Sequence, residues 1–146
     1  MKERYIQMCS DKIKNVVEVC HKELWGNRDL SVFDKYCDPN LTIRSLTDRN
    51  IILNIDGIKA GLTEWFSCFP DIKLIHKNIR VDTNNTVVIE WEATVTHTNE
   101  FRGFKATNKT ISKIGTSFFK VHNNKIIEWD DKYDINAFIA ELSGTQ

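Results

Sequence analysis

Residues 86–98 read TVVIEWEATVTHT, and the alternation within them decides the class of fold. Successive side chains of an extended strand point to opposite faces. Val87, Ile89, Trp91, Ala93, Val95 and His97 therefore share one face, and Thr86, Val88, Glu90, Glu92, Thr94 and Thr96 the other. The apolar row is the covered one. His97 stands at its end, the first chemically suggestive detail of the chain. Glu90 and Glu92, on the opposite face beside Thr94, suit a solvated or dimer-forming surface better than acid/base work.

Outward from this strand, residues 72–82, 109–122 and 125–133 are also rich in β-branched and aromatic residues, and Asn84-Asn85 and Asn123-Asn124 supply turn chemistry between them. The upstream half changes period. In residues 6–25, Ile6, Ile13, Val16, Val17, Cys20 and Leu24 recur at three- and four-residue steps, which predicts an amphipathic helix with Lys12, Lys14, Glu18 and Lys22 on its wet side. Gly26 and Asn27 supply left-handed-tolerant residues where that helix should stop. Leu30, Phe33 and Tyr36 predict a short second helix, closed by Asp38-Pro39-Asn40. Residues 41–46 alternate as a half-exposed strand, residues 57–69 form a third helix ending at Phe69-Pro70-Asp71, and residues 135–142 form a last one. Helices first and hairpin-linked strands afterwards predict an α+β fold with a curved, mostly antiparallel sheet.

The 146 residues suit one domain, read here as 1–146, with 41% apolar and 27% charged residues. Twenty basic residues balance 20 acidic ones, so the basic excess that phosphate recognition requires is missing and no nucleic-acid partner is expected. No apolar run approaches the ~20 residues of a membrane span. The first segment, MKERYIQMCSDKIKNVVEV, carries charge where a signal peptide is apolar; a cytoplasmic protein without a membrane partner is the expectation. Cys9, Cys20, Cys37 and Cys68 form no CxxC pair or Cys/His cluster, so reduced thiols that largely fill the core, and no metal, are expected.

Phe69-Pro70-Asp71, then Thr96-His97-Thr98-Asn99-Glu100 with Gly103 and Ala106-Thr107-Asn108-Lys109, then Lys125-Ile126-Ile127-Glu128-Trp129 with Asp134 and Leu142, come in an order and spacing that resembles the SnoaL-like polyketide cyclases of the NTF2-like superfamily. The resemblance implies a cone whose N-terminal helices lie on the concave face of the sheet. It also implies a homodimer through the exposed sheet face. Where the family has glycine, this chain has Val95, Asn99 and Asn108; asparagine replaces glycine most readily in a left-handed turn, which valine does not.

The resemblance further implies cofactor-free chemistry on a small apolar carbonyl compound, an intramolecular aldol-type closure of an ester or polyketide-like substrate. A carboxylate near the end of the last strand would remove the proton, and Asp134 is the matching position. A base of this kind is strengthened by desolvation in an apolar cavity. Asp134 also directly precedes the last helix, where its side chain can cap free N–H groups. Asp131 competes for the role, because alternation groups it with Trp129 and Tyr133 and sets Asp130 with Glu128; if the Trp129 face meets the pocket, Asp131 enters it. His97 is the candidate oxyanion donor or acid, or else a structural histidine. Trp65, Trp91 and Trp129, with Phe69, are the candidate ligand-lining residues. His21, His76 and His122 read as surface residues. Epoxide hydrolysis or steroid-type isomerisation in the same fold is an alternative, although no Asp-x-Arg or Arg-x-Asp pair marks the central strands. A binding or interaction module that keeps the cone without catalysis is another.

Overall fold

A computed structural model describes residues 2–45 and 50–143, and the side chains of residues 2–8 fall outside that description. Leu46, the end of the predicted strand 41–46, and the side chain of Ile6 therefore lie outside the described residues. Helix α1 (Lys2–Asn27) leads into α2 (Val32–Tyr36), the two-residue strands β1 (Ile43–Arg44) and β2 (Ile52–Leu53), and α3 (Ile55–Cys68). Four long strands follow, β3 (Lys73–Asp82), β4 (Thr86–Thr96), β5 (Thr110–His122) and β6 (Lys125–Tyr133), and then α4 (Ile135–Leu142). The long strands pair antiparallel in the order β3-β4-β5-β6, a meander whose neighbours in sequence are neighbours in space.

The hairpins have the predicted turn chemistry. Asn84 and Asn85, and Asn123 and Asn124, hold positive φ of 60°, 57°, 51° and 62°, the mirror-image turn conformation that matches strand twist. Asn108 also takes positive φ, at 58°, as its glycine-like role requires. Asn99 does not; its amide instead donates to the Ser67 and Cys68 carbonyls at the end of α3. The first helix likewise runs through Gly26 and Asn27, and Arg28 is the left-handed residue, with φ 53°. The arginine then donates to the Pro70 carbonyl. Helix α3 starts two residues before the predicted position because Asn54 caps it, accepting from the Gly57 N–H at 2.9 Å.

The odd positions of β4 face the helices. Val87, Ile89, Trp91, Ala93 and Val95 are all buried, and Leu24, Cys20 and Val17 of α1 with Phe33 of α2 meet the first four of them and Phe119, Val121 and Trp129 in one core. A second core, at the other end of the sheet, joins Trp65 and Phe69 to Val95, Phe101, Ile111, Phe138 and Leu142. The structure thus has the predicted α+β arrangement of helices over the concave face of an antiparallel sheet. Cys20 and Cys37 are buried free thiols. The hydrogen bond with Cys37 and burial both push the Cys20 thiol up, so it is held as a neutral core group.

One glycine is dictated by packing. Gly115 sits opposite Trp91 in the β4–β5 ladder, and a Cβ there would have three atoms of the Trp91 indole within 2.8 Å. The bare backbone lets the ring lie across β5 and reach Ser117. Gly115→Ala is expected to cost about 1–3 kcal/mol through overpacking, read as a lower urea midpoint. A midpoint unchanged from wild type would mean that the indole has another place to go.

Candidate active site

The concave face closes on a small chamber lined by His21, Ser117 and Asp131, three of the five buried polar side chains among the described residues. Strand alternation brings Trp91 and Ala93 from β4, Lys113 and Ser117 from β5, and Asp131 and Tyr133 from β6 to its floor; His21 and Trp25 of α1, Trp65 of α3, and Ile72 and Leu74 complete it. The free space is about 30 Å³, room for one or two waters. Two larger hollows adjoin it. An outer vestibule of about 460 Å³ shares Trp25, Ile72 and Leu74 with the chamber, and a groove of about 280 Å³ between β5 and α4 shares Lys113.

Among the described residues Asp131 is the buried carboxylate, 9% exposed. Its Oδ1 accepts from Ser117 Oγ at 2.5 Å and from Trp129 Nε1 at 3.0 Å, while Ser117 Oγ accepts in turn from Trp91 Nε1 at 2.8 Å. The register requires this set: Ser117 is directly opposite Asp131 across β5 and β6. A hydroxyl at 2.5 Å is in the range for a charged acceptor. One indole and one hydroxyl thus hold the carboxylate, and a second indole holds the hydroxyl.

The other candidate acid is elsewhere. Asp134 is exposed, accepts from the Ala137 N–H at 2.9 Å as the cap of α4, and lines the outer groove, not the chamber. Strand β6 ends at Tyr133, just before Asp134, and the chain turns Asp134 outward. His97 is fully buried and also off the chamber wall. The Thr107 N–H donates to its Nδ1 at 3.3 Å, which leaves the Nε2 proton to bond the Phe104 carbonyl at 3.2 Å. Both ring nitrogens are thus used in pinning residues 97–109. Of the four predicted lining residues, Trp65 and Trp91 line the chamber. Trp129 stands behind it, stacked on Phe33 with ring centroids 5.4 Å apart, and serves as the donor to Asp131. Phe69 is 0% exposed within the second core.

His21 is no surface residue. It is 1% exposed, lines the chamber, and shares a 2.8 Å hydrogen bond between its Nδ1 and Nε2 of His76 on β3. The spacing contained the signal: His21 is four residues after Val17 and three before Leu24, within the apolar stripe. His76 is half-buried and His122 exposed. Burial, and then His76, lower the His21 imidazole from 6.5 to about 3; burial, and then Lys22, lower His76. Glu18 acts on His76 in the opposite direction, and Asp131 and Lys113 face the same chamber as His21.

These shifts fix the sign of a pH dependence. A histidine whose folded pKa is depressed stabilises the fold above its unfolded pKa, and that stability is lost as pH falls from about 6.5 toward about 3. Acidifying from about pH 7 to about pH 5 is therefore expected to remove about 2 kcal/mol through His21 alone. Urea titrations of wild type and His21→Leu at both pH values measure it. Equal pH slopes for the two proteins would show that His21 is not held neutral in the fold.

Lys113 has no precedent in the sequence reading, although parity places it with Ser117 and Phe119 on the inner face of β5. Its Nζ lies 3.6 Å from the ring centroid of Phe138 and 4.5 Å from those of Trp65 and Tyr133. Among the described residues no carboxylate lies within ion-pair distance of it. Desolvation lowers its ammonium to about 7, with Glu141 opposing. The ring faces also favour the charged form, by roughly 0.5–2 kcal/mol, which offsets only part of that desolvation. The described residues contain no group of three or more His, Cys, Asp or Glu side chains that could hold a metal, and no helix among them is long and apolar enough to cross a membrane.

Comparison with known proteins gives the geometry its context. A sequence model of the SnoaL-like polyketide cyclases matches residues 15–142. No curated protein matches the chain. Among solved structures, a candidate SnoaL-like polyketide cyclase from Jannaschia sp. CCS1 superposes with a TM-score of 0.79 at 19% identity, over 93% of this chain and 94% of that one. A candidate polyketide cyclase from Acidithiobacillus ferrooxidans gives 0.75 at 22% identity, over 92% and 96%. AclR, a candidate hydroxylase from Streptomyces galilaeus, gives 0.76 at 20% identity, over 91% and 86%. At such identities the structural likeness speaks for the fold.

Proposed function

Because the chain belongs to the SnoaL-like polyketide cyclase family, matched over residues 15–142, we propose that it is a small-molecule enzyme that removes a proton beside a carbonyl group, with Asp131 as the base. One observation carries the choice. Asp131 is the carboxylate on the chamber wall, whereas Asp134 is committed to the cap of α4. The substrate class is an apolar carbonyl compound, an ester or polyketide-like molecule closing by an aldol step, with no cofactor required because the substrate's carbonyl delocalises the enolate. A chamber of about 30 Å³ holds only the reacting end of such a molecule. The vestibule beyond Trp25, Ile72 and Leu74 takes the rest. The polar floor of Ser117 and Asp131 within aromatic walls is the arrangement that small-molecule sites favour. Exposed Ile75 and Ile114, which flank Glu92 across the convex face, support the homodimer that the family resemblance implies.

Exchange of the α-hydrogens of acetophenone in deuterated water, followed by proton NMR, tests the reading. Wild type and Asp134→Asn are expected to accelerate exchange, and Asp131→Asn to lose that acceleration. Retained exchange in a folded Asp131→Asn protein would remove Asp131 from the mechanism. The tightness of the chamber favours a second reading, a cone that binds ligand without turnover. In that case acetophenone would perturb tryptophan fluorescence and none of the proteins would exchange it.

A further inference from the structure

We propose that Lys113 is a carbonyl-capturing amine, which forms a covalent iminium with small apolar aldehydes or ketones seated in the groove between β5 and α4. Four observations converge on it. Lys113 lines both the chamber and the outer groove, and its nitrogen lies between Phe138 of the groove wall and Trp65 and Tyr133 of the chamber wall. The groove beside it is apolar, with Ile111, Ile114, Ala137 and Phe138 in its walls, and its free volume of about 280 Å³ suits a compound of about one aromatic ring. Three aromatic rings surround the nitrogen at 3.6–4.5 Å. Among the described residues no carboxylate is within ion-pair distance to hold it as an ammonium.

The aromatic cage suits the product as well as the reactant. An amine becomes a nucleophile when it is desolvated in an apolar pocket, and the iminium that follows is itself a cation, facing the same three rings. The neutral amine attacks the carbonyl carbon, so that a C–N bond forms, the C=O π bond breaks, and the nitrogen's proton passes to oxygen. Protonation of this hydroxyl by solvent at the open side of the groove releases water and leaves C=N⁺. One ammonium and one carbonyl thus yield one iminium and one water, with no change in oxidation state. The titratable groups that line the same two spaces are His21 from α1, Asp131 and Tyr133 from β6, Asp134 at the start of α4, and Glu141 from α4 itself.

Benzaldehyde with cyanoborohydride, whose hydride fixes any iminium as a benzyl amine, provides the test on the intact chain near pH 7. A lysine titrating at about 7 has roughly a thousandfold larger neutral fraction at that pH than one titrating near 10.4. Passage through the groove reduces this advantage, and benzylation of Lys113 about tenfold or more above the mean of the exposed lysines is expected by peptide mapping of wild type. Lys113→Arg, which retains the cation and the cage, is expected to lose the dominant adduct and leave the slow surface labelling unchanged. Labelling spread evenly over the surface lysines, or absent from Lys113, overturns the proposal and leaves a structural cation. Because wild type alone gives the decisive map, a poorly folding variant does not obscure the result. The outcome is independent of Asp131, whose own test is proton exchange.

Discussion

Asp131→Asn is expected to lower the proton-transfer rate by about 10²–10⁴-fold, the usual contribution of a positioned acid or base, while leaving stability within about 1 kcal/mol. The second half of the expectation follows from geometry. The Ser117 and Trp129 bonds both end on Oδ1, and the amide oxygen of asparagine can accept both in the same place. Basicity is lost, and the hydrogen-bond frame is retained. Asp131→Ala makes the contrast, since it removes the acceptor and leaves a buried hydroxyl and a buried indole N–H short of a partner, at about 1–3 kcal/mol. Exchange rates and urea midpoints on both variants separate chemistry from scaffolding. Equal loss of stability in the two would show that the negative charge, and not the acceptor geometry, holds the floor together.

The residues that fixed the floor were legible in sequence to the extent that strand parity reaches. Parity sets Trp91 inward and groups Asp131 with Trp129, and the ladder confirms both. Register is what parity does not supply. That Gly115 stands opposite Trp91 depends on hairpin geometry, and that Ser117 stands opposite Asp131 depends also on a bulge between Lys120 and Val121. Helices were legible where apolar periodicity was strong, and α1 missed only its ends. The strand β2, two residues long, has no periodicity to read. His21 and Lys113 were missed for a shared reason: a polar side chain is assigned to water by type, although in both cases its position on an apolar face places it inside. Asp134 shows the converse. It stands directly after the last strand, and its carboxylate caps the free N–H groups at the start of α4 instead of lining the chamber.

Phe69→Ala is expected to cost about 3–5 kcal/mol, the range for truncating a fully buried aromatic ring. The ring sits where three separate pieces of chain meet: its centroid is 4.9 Å from Trp65 of α3, 5.1 Å from Phe101 of the 97–109 loop and 5.8 Å from Phe138 of α4. His97 completes the ring of neighbours at 6.2 Å. A residue that lined a ligand pocket would lose affinity on truncation and little stability; one that joins three elements loses stability first. The effect extends further, because Phe138 and Trp65 are two of the three walls around Lys113. Loosening them admits water to the amine, so Lys113 in Phe69→Ala should return toward the ordinary lysine range and lose its excess benzylation near pH 7. Urea unfolding and the peptide map measure the two consequences together. A variant of near wild-type stability would return Phe69 to the role of ligand contact, and the second core would then require another keystone.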